Sequence, residues 1–311
     1  MKTFKPEMSA EDAAELLMQV TGSEVADIAP IEMGEMSKVY RYTSDGRDYV
    51  IHFKDQRDNL AKARYLHDRY AAAGLPMPRI HELGEAGGLY YAISDLVPGS
   101  SVSALAGEEL EAVMPHLVEL FARMSRIEVD APPGWGWMRP NGEAASASWI
   151  DYIAGTFAPE QHGFFEGWMS LFEGGILERD VFDRVYAAMM RLAKHAPEER
   201  YLVHGDYHLG NMLASGGRIT GIVDWEMGMY GDFMYDVAVL NLWSPQARFP
   251  QRVREAWAAE GRDIPCFKER LLCYQIFKGL DGLRFYAKKG DPHSYAFMKE
   301  QLLTMLSIVG E

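Results

Sequence analysis

The chain has 311 residues, 48% of them hydrophobic and 24% charged. That is the balance of an ordinary folded protein, and the length exceeds what one compact core usually fills, so two lobes are expected. A formal net charge of −14 argues against nucleic acid as a partner and suits a cationic one. No apolar run approaches the roughly 18 residues of a membrane span. The opening residues Met1-Lys2-Thr3-Phe4-Lys5-Pro6-Glu7 lack the apolar core of a signal peptide, so a cytoplasmic protein without a membrane partner is expected. Cys266 and Cys273 match no zinc or redox spacing and read as free core thiols.

In chain order, residues 38–42 and 48–54 read as strands around the turn Thr43-Ser44-Asp45-Gly46. Residues 59–73 read as a helix stopped by Gly74, Pro76 and Pro78. Strand character returns at 79–83 and 89–94, and Pro98-Gly99-Ser100-Ser101 then breaks the pattern. Residues 108–127 carry Leu110, Val113, Leu117, Leu120, Phe121 and Met124 at helical spacing. A Pro-, Gly- and Trp-rich loop is expected over 130–147, followed by a helix near 148–156 and an interrupted helical stretch over 164–195. Strand–turn–strand character marks 201–224, and helices resume from about 232 to the end. The predicted fold is α+β and bilobal. A small N-terminal β-rich lobe (1–97) would bind a nucleotide, and a larger, mostly helical lobe (98–311) would carry catalysis and the substrate.

The most informative segment is His204-Gly205-Asp206-Tyr207-His208-Leu209-Gly210-Asn211, followed by a hairpin that ends in Asp224-Trp225-Glu226. Phosphoryl transfer needs a carboxylate to receive a hydroxyl proton and hard oxygen ligands for the metal that holds a triphosphate. An Asp and an Asn with four residues between them can sit at opposite ends of one tight loop, and a hairpin can return a second Asp to the same place. Asp206 is thereby the candidate catalytic base, and Asn211 and Asp224 the candidate Mg²⁺ ligands. The His-x-Asp-x₄-Asn spacing is that of a kinase catalytic loop.

At these residues the chain resembles the aminoglycoside phosphotransferase family, whose members have a protein-kinase-like fold. Asp224-Trp225-Glu226 and Gly231-Asp232-x-x-Tyr235-Asp236 fit the same pattern. To one branch of the family the similarity extends over 34–40, 47–50, 75–78, Trp149-Ile150-Asp151 and Gly279-Leu280-Asp281. The resemblance implies an ATP-dependent enzyme, GTP being possible, that phosphorylates a hydroxyl of a small molecule and confers antibiotic resistance. Asp236 resembles the buried carboxylate that ties down the family's catalytic loop, and His204 reads as packing behind that loop.

On the nucleotide side, Gly34-Glu35-Met36-Ser37-Lys38 resembles the phosphate-covering loop, with Ser37 facing the phosphates. Residues 94–97, with Asp95 and Val97, match the hinge that would bond the adenine edge. The position where kinases carry a phosphate-pairing cation falls on His52. Alternation places His52 and Lys54 on one face of a strand, so either can serve. Ala63 falls where the family often has Glu.

Only seven residues separate Asp224 from Asp232, which leaves no room for the activation segment that a protein substrate requires. A cationic, aminoglycoside-like acceptor is expected, with Glu226, Asp281 and Asp151 as its candidate carboxylates beside Asp206. Kinases of choline, methylthioribose or macrolides remain alternatives. So does a catalytically silent nucleotide-binding regulator.

Overall fold

Side-chain alternation organises the front of the protein in the computed structural model, which describes residues 4–32, 34, 36–129 and 133–308. Strands β1 (Ala26–Pro30), β2 (Lys38–Ser44), β3 (Arg47–Lys54), β4 (Ile80–Ala86) and β5 (Leu89–Asp95) form an antiparallel sheet in the order β1-β2-β3-β5-β4. The β2–β3 turn uses Asp45 and Gly46, both left-handed, the geometry that a two-residue hairpin favours. It fixes the register Tyr40↔Ile51 and Lys38↔Phe53. One face of the sheet then carries Tyr40, Tyr42, Ile51, Phe53, Tyr91 and Ile93. These pack on Ala13 and Leu17 of α1 (Ala10–Thr21). A one-residue slip of β3 would turn that apolar set outward. The opposite face carries His52 and Lys54.

Helix α1 starts at a reciprocal cap: Asp12 N donates to Ser9 Oγ at 3.0 Å, and Ser9 Oγ donates to Asp12 Oδ2 at 2.7 Å. Neither α1 nor β1 was foreseen. Helix α2 (Arg57–Tyr70) follows β3, but its buried Leu66 and Tyr70 join the second, larger core rather than the sheet's. The Tyr70 and Tyr230 hydroxyls meet at 3.0 Å within that core.

The larger core lies among α3 (Gly107–Met124), α4 (Trp149–Gly155), α5 (Leu171–Gly174), α6 (Arg179–Leu192), α7 (Met234–Trp243), α8 (Phe249–Ala259), α9 (Phe267–Lys289) and α10 (Pro292–Ile308). Helix α7 is buried over seven consecutive residues, Met234 to Leu240, so it has no solvent face to pattern. Shortening Leu240 to Ala there would cost about 2–5 kcal/mol. Two small sheets carry the loops between the helices. One joins β6 (Ser100–Ser101), β10 (Met212–Ser215) and β11 (Arg218–Ile222). The other runs β8 (Ala144–Ser146), β7 (Trp135–Met138), β12 (Met229–Gly231), β9 (Tyr201–Val203).

Two expectations need correction. The stretch read as a loop over 130–147, of which 130–132 lie outside the described residues, contains the β7–β8 hairpin; β7 is held by pairing with β12, far away in sequence. Cys266 is a free thiol but exposed, at the left-handed start of α9, and only Cys273 is in the core.

Candidate active site

The catalytic loop hangs from β9 and is fixed from behind. Asp236 of α7 accepts hydrogen bonds from His204 N at 2.7 Å and Gly205 N at 2.9 Å. Burial still pushes its carboxyl up to about 7, against those two bonds. Gly205 has φ +85, and a Cβ there would lie 2.2 Å from the Met227 carbonyl oxygen, so only glycine fits the turn. His204 is fully buried; its Nδ1 accepts from Asp206 N at 3.2 Å and its Nε2 donates to Val223 O at 2.9 Å. Burial lowers its pKa to about 4, outweighing the opposing pull of Asp206 and Val223. His204 is thus a neutral strut linking the catalytic loop to the Asp224 loop.

Asp206 and Asn211 meet at the tip. Asn211 Nδ2 donates to Asp206 O at 3.0 Å and to Asp206 Oδ2 at 3.1 Å, and Val223 N donates to Asn211 O at 2.9 Å. His208 Nδ1 accepts from Gly210 N at 3.0 Å, which leaves the proton on Nε2, 3.3 Å from Asp206 Oδ2. Lys278 Nζ donates to Asp206 Oδ1 at 3.1 Å. Burial works to raise the Asp206 pKa, but Lys278 and His208 overcome it and hold the carboxyl well below its usual range. Asp206 is therefore ionised and oriented, as a base must be.

Asp224 adopts a left-handed backbone (φ 63, ψ 53), uncommon for a residue other than glycine and frequent at functional sites. Asp224 is exposed by surface area, although enough protein surrounds it to disfavour the charged form. Burial and the neighbouring Glu226 and Asp206 carboxylates raise its pKa, against Lys54. Such excess negative charge, with hard oxygens on Asp224 and Asn211, fits a hard divalent cation. Among the described residues no three His, Cys, Asp or Glu side chains converge to chelate an ion alone. A cation here would complete its shell from phosphate and water.

On the nucleotide face, Lys54 forms a buried ion pair with Glu226. His52 lies on the same strand face; burial and then Lys54 lower its pKa to about 4, so at neutral pH it offers a hydrogen bond and no charge. Asp95 directs its carboxylate to His81 Nε2 at 2.7 Å and its N–H to Arg79 O at 3.1 Å, which leaves its carbonyl for a hinge role. Asp95 and Val97 border a recess of about 400 Å³ that includes none of the catalytic residues. Ser37 is half-buried beside Gly34, whereas Glu35 of the same loop lies outside the described residues.

The expected acceptor carboxylates divide. Glu226 pairs with Lys54. Asp281, three residues after Lys278 on α9, keeps one oxygen on Arg284 at 2.8 Å. Asp151 lies in the first turn of α4, which Ser148 caps: the Asp151 N–H donates to Ser148 Oγ at 3.1 Å, and the Asp151 carboxylate accepts from that hydroxyl at 2.7 Å. Three cations escaped the sequence reading. Lys278 is one. Arg284 is 1% exposed, 4.1 to 4.9 Å from the rings of Phe157, Phe165 and Trp168, and its Nη1 donates to Thr156 O at 2.9 Å. Lys62 of α2 is 2% exposed, 4.4 Å from the Trp137 ring, and burial lowers its pKa to about 7 against Glu226 and Asp58. Its spacing with Leu66 and Tyr70 on the buried stripe was the available signal.

Comparison with known proteins agrees with this geometry. The chain is 29% identical over 287 residues to hygromycin-B 4-O-kinase of Escherichia coli, covering 90% of this chain and 80% of that protein. The crystal structure of aminoglycoside phosphotransferase APH(4)-Ia superposes with a TM-score of 0.83 at 26% identity, over 96% of this chain and 99% of that one. A thermostable mutant of that protein has been crystallised with ADP and hygromycin B. A fructosamine-3-kinase from Haemophilus somnus 129PT shares the fold at 17% identity and a TM-score of 0.67, over 94% of this chain and 96% of that one. The model of the phosphotransferase enzyme family matches residues 27–270, and with a kinase-like α+β fold around Asp206, Asn211 and Asp224 the chain belongs to that family as a small-molecule kinase.

Proposed function

We propose that the chain transfers the γ-phosphoryl group of ATP to a hydroxyl of hygromycin B or a closely similar cationic aminoglycoside. The observation that carries this reading is Asp206, ionised between Lys278 and Asn211 and near enough to Asp224 for the two carboxylates to repel each other. Asp206 receives the acceptor's proton. Asn211 and Asp224 would hold Mg²⁺, which compensates the charge of the triphosphate when bound. Lys54 is the phosphate cation, with His52 as a neutral donor on the same strand face, while Ser37 covers the phosphates and the backbone of Asp95 and Val97 meets the base; GTP would fit the same contacts. Residues 1–97 act as the nucleotide lobe and 98–311 as the catalytic lobe, with α2 following β3 in sequence and packing its buried stripe into the larger core.

The acceptor reading is supported by the likeness to hygromycin-B 4-O-kinase, by the net charge of −14 and by Asp281 on the same helix as Lys278. Protonated amines would pair with Asp281, and raised salt would weaken their binding. Asp151 can add at most its second oxygen. A cytoplasmic enzyme without protein, membrane or nucleic-acid partners is consistent with this chemistry, and among the described residues no helix is long and apolar enough to cross a membrane.

The test is a mass-spectrometric screen with Mg²⁺-ATP and a panel of hygromycin B, other aminoglycosides, choline, methylthioribose and a macrolide. A gain of one phosphate on hygromycin B is expected. Phosphorylation of a neutral acceptor alone would overturn the aminoglycoside reading, and no transfer to any acceptor would favour a nucleotide-binding regulator.

A further inference from the structure

We infer that Lys278 is a catalytic residue, its ammonium group lying against the acceptor oxygen that Asp206 orients. The inference rests on the reading of Asp206 as the base and adds a residue to that site.

The geometry of the Asp206 carboxylate carries the argument. An ionised carboxylate offers about four lone-pair directions, two on each oxygen. Among the described residues, Oδ2 receives Asn211 Nδ2 at 3.1 Å and His208 Nε2 at 3.3 Å. Oδ1 receives Lys278 Nζ at 3.1 Å and no other donor. The open direction therefore lies on Oδ1. An acceptor hydroxyl that donates its proton there lands beside the Lys278 ammonium group, which shares the same oxygen. The Asp206 side chain is 26% exposed and that of Lys278 14%, so the pair has an open side.

Helix α9 holds Lys278 in place from both directions. Toward its start, Arg270 binds Asp232 through Nε at 2.8 Å and Nη2 at 2.5 Å, and the Tyr274 hydroxyl donates to Asp232 at 2.6 Å. Toward its end, Arg284 is fixed by Asp281, Thr156 and three aromatic rings. A lysine on a helix anchored two turns before and nearly two turns after it is pre-organised, the condition for electrostatic catalysis without reorganisation.

The step balances as follows. The acceptor oxygen forms the new bond to phosphorus while the bond from phosphorus to the bridging oxygen of the departing nucleoside diphosphate breaks. The hydroxyl proton passes to Asp206. During transfer, negative charge spreads over the three equatorial phosphoryl oxygens. That charge arrives next to the Asp206 carboxylate, which by itself would repel it. Lys278 has three N–H donors, and the one given to Asp206 leaves two for the acceptor oxygen and an equatorial oxygen. It thus offsets the repulsion that an ionised base creates.

The experiment compares wild type, Lys278→Met, Lys278→Arg and Asp206→Asn with Mg²⁺-ATP and hygromycin B, measuring kcat and both KM values. Lys278→Met is expected to lower kcat by roughly 10²–10³-fold, the usual loss for one pre-organised transition-state donor, with both KM values little changed. Lys278→Arg should recover part of that loss. In Lys278→Ala, added ethylammonium should restore turnover saturably, which a purely structural lysine would not allow. Near wild-type kcat in Lys278→Met, or no rescue by either the arginine or the amine, would overturn the role of Lys278. Full activity in Asp206→Asn would instead overturn the base assignment on which it rests.

Discussion

Lys54 reaches Glu226 from a strand of the small lobe, whereas Lys278 reaches Asp206 from a helix of the large one. The first pair joins two lobes and the second lies within a single core. An ammonium group that bridges lobes can exchange its carboxylate for a phosphate when a nucleotide enters. Glu226 would then be left facing Asp224, and Lys62, held over Trp137, stands close enough to compensate it. The Trp137 indole also donates to the Glu226 carbonyl at 3.3 Å, so helix α2, β7 and the Asp224 loop are braced together. In the second pair nothing needs to exchange. On the proposed function, one side of the site binds and releases and the other holds a base still.

The largest effect should come from the proposed metal position, Asp224. Asp224→Ala is expected to abolish turnover even at saturating ATP, because the triphosphate's charge is then poorly compensated. Chelation of Mg²⁺ should do the same to wild type. Persistent activity in either case would break the division into faces at its centre.

A stability experiment addresses the strut behind both faces. Buried His204 has its pKa lowered from about 6.5 to about 4. The unfolded chain therefore takes up a proton over this range that the folded chain refuses. The stabilisation is complete above pH 6.5 and lost as pH falls toward 4, by about 3 kcal/mol at most. Denaturant midpoints of wild type should decline between these values, and His204→Gln should flatten the decline. An equal slope in both would place the titrating group elsewhere.

Exchange on the nucleotide face predicts a smaller and more selective effect. Lys54→Met should raise the KM for ATP by roughly 10–100-fold, the worth of a hydrogen bond to a charged group. His52→Ala should raise it less, since that ring carries no charge at neutral pH. If His52→Ala proves the more damaging, the strand contact is assigned to the wrong residue. The smallest effect belongs to Asp151→Ala, which leaves the Ser148 cap of α4 in place and removes only the first-turn carboxylate that accepts from its hydroxyl. A loss of about 0.3–1 kcal/mol in stability is expected, the worth of a negative charge in the first turn of a helix, with the acceptor KM almost unchanged. A large rise in that KM would return Asp151 to the acceptor site.

The sequence made the catalytic loop legible because its parts are local: Asp206, Asn211 and Asp224 lie within one strand–turn–strand unit whose spacing is itself the signal. Lys278 was not legible, since it meets Asp206 across 72 residues and an isolated lysine on a helix ordinarily points to water. Glu226 read as an acceptor carboxylate because its neighbour in sequence is the metal position, while its partner Lys54 is 172 residues away. The β7–β8 hairpin was lost for a related reason. Its glycines and prolines signal a loop, and the pairing of Met229 with Trp137 that makes β7 a strand depends on the folded large lobe.

The most direct test of Asp206 as the base is a paired measurement on wild type and Asp206→Asn, with saturating Mg²⁺-ATP and hygromycin B. Phosphoryl transfer is followed in one portion and ATP binding in another. Transfer slower by roughly 10²–10⁴-fold in Asp206→Asn, the range for a lost acid–base group, with ATP binding unchanged, is the expected result. Equal transfer rates in the two proteins would contradict it.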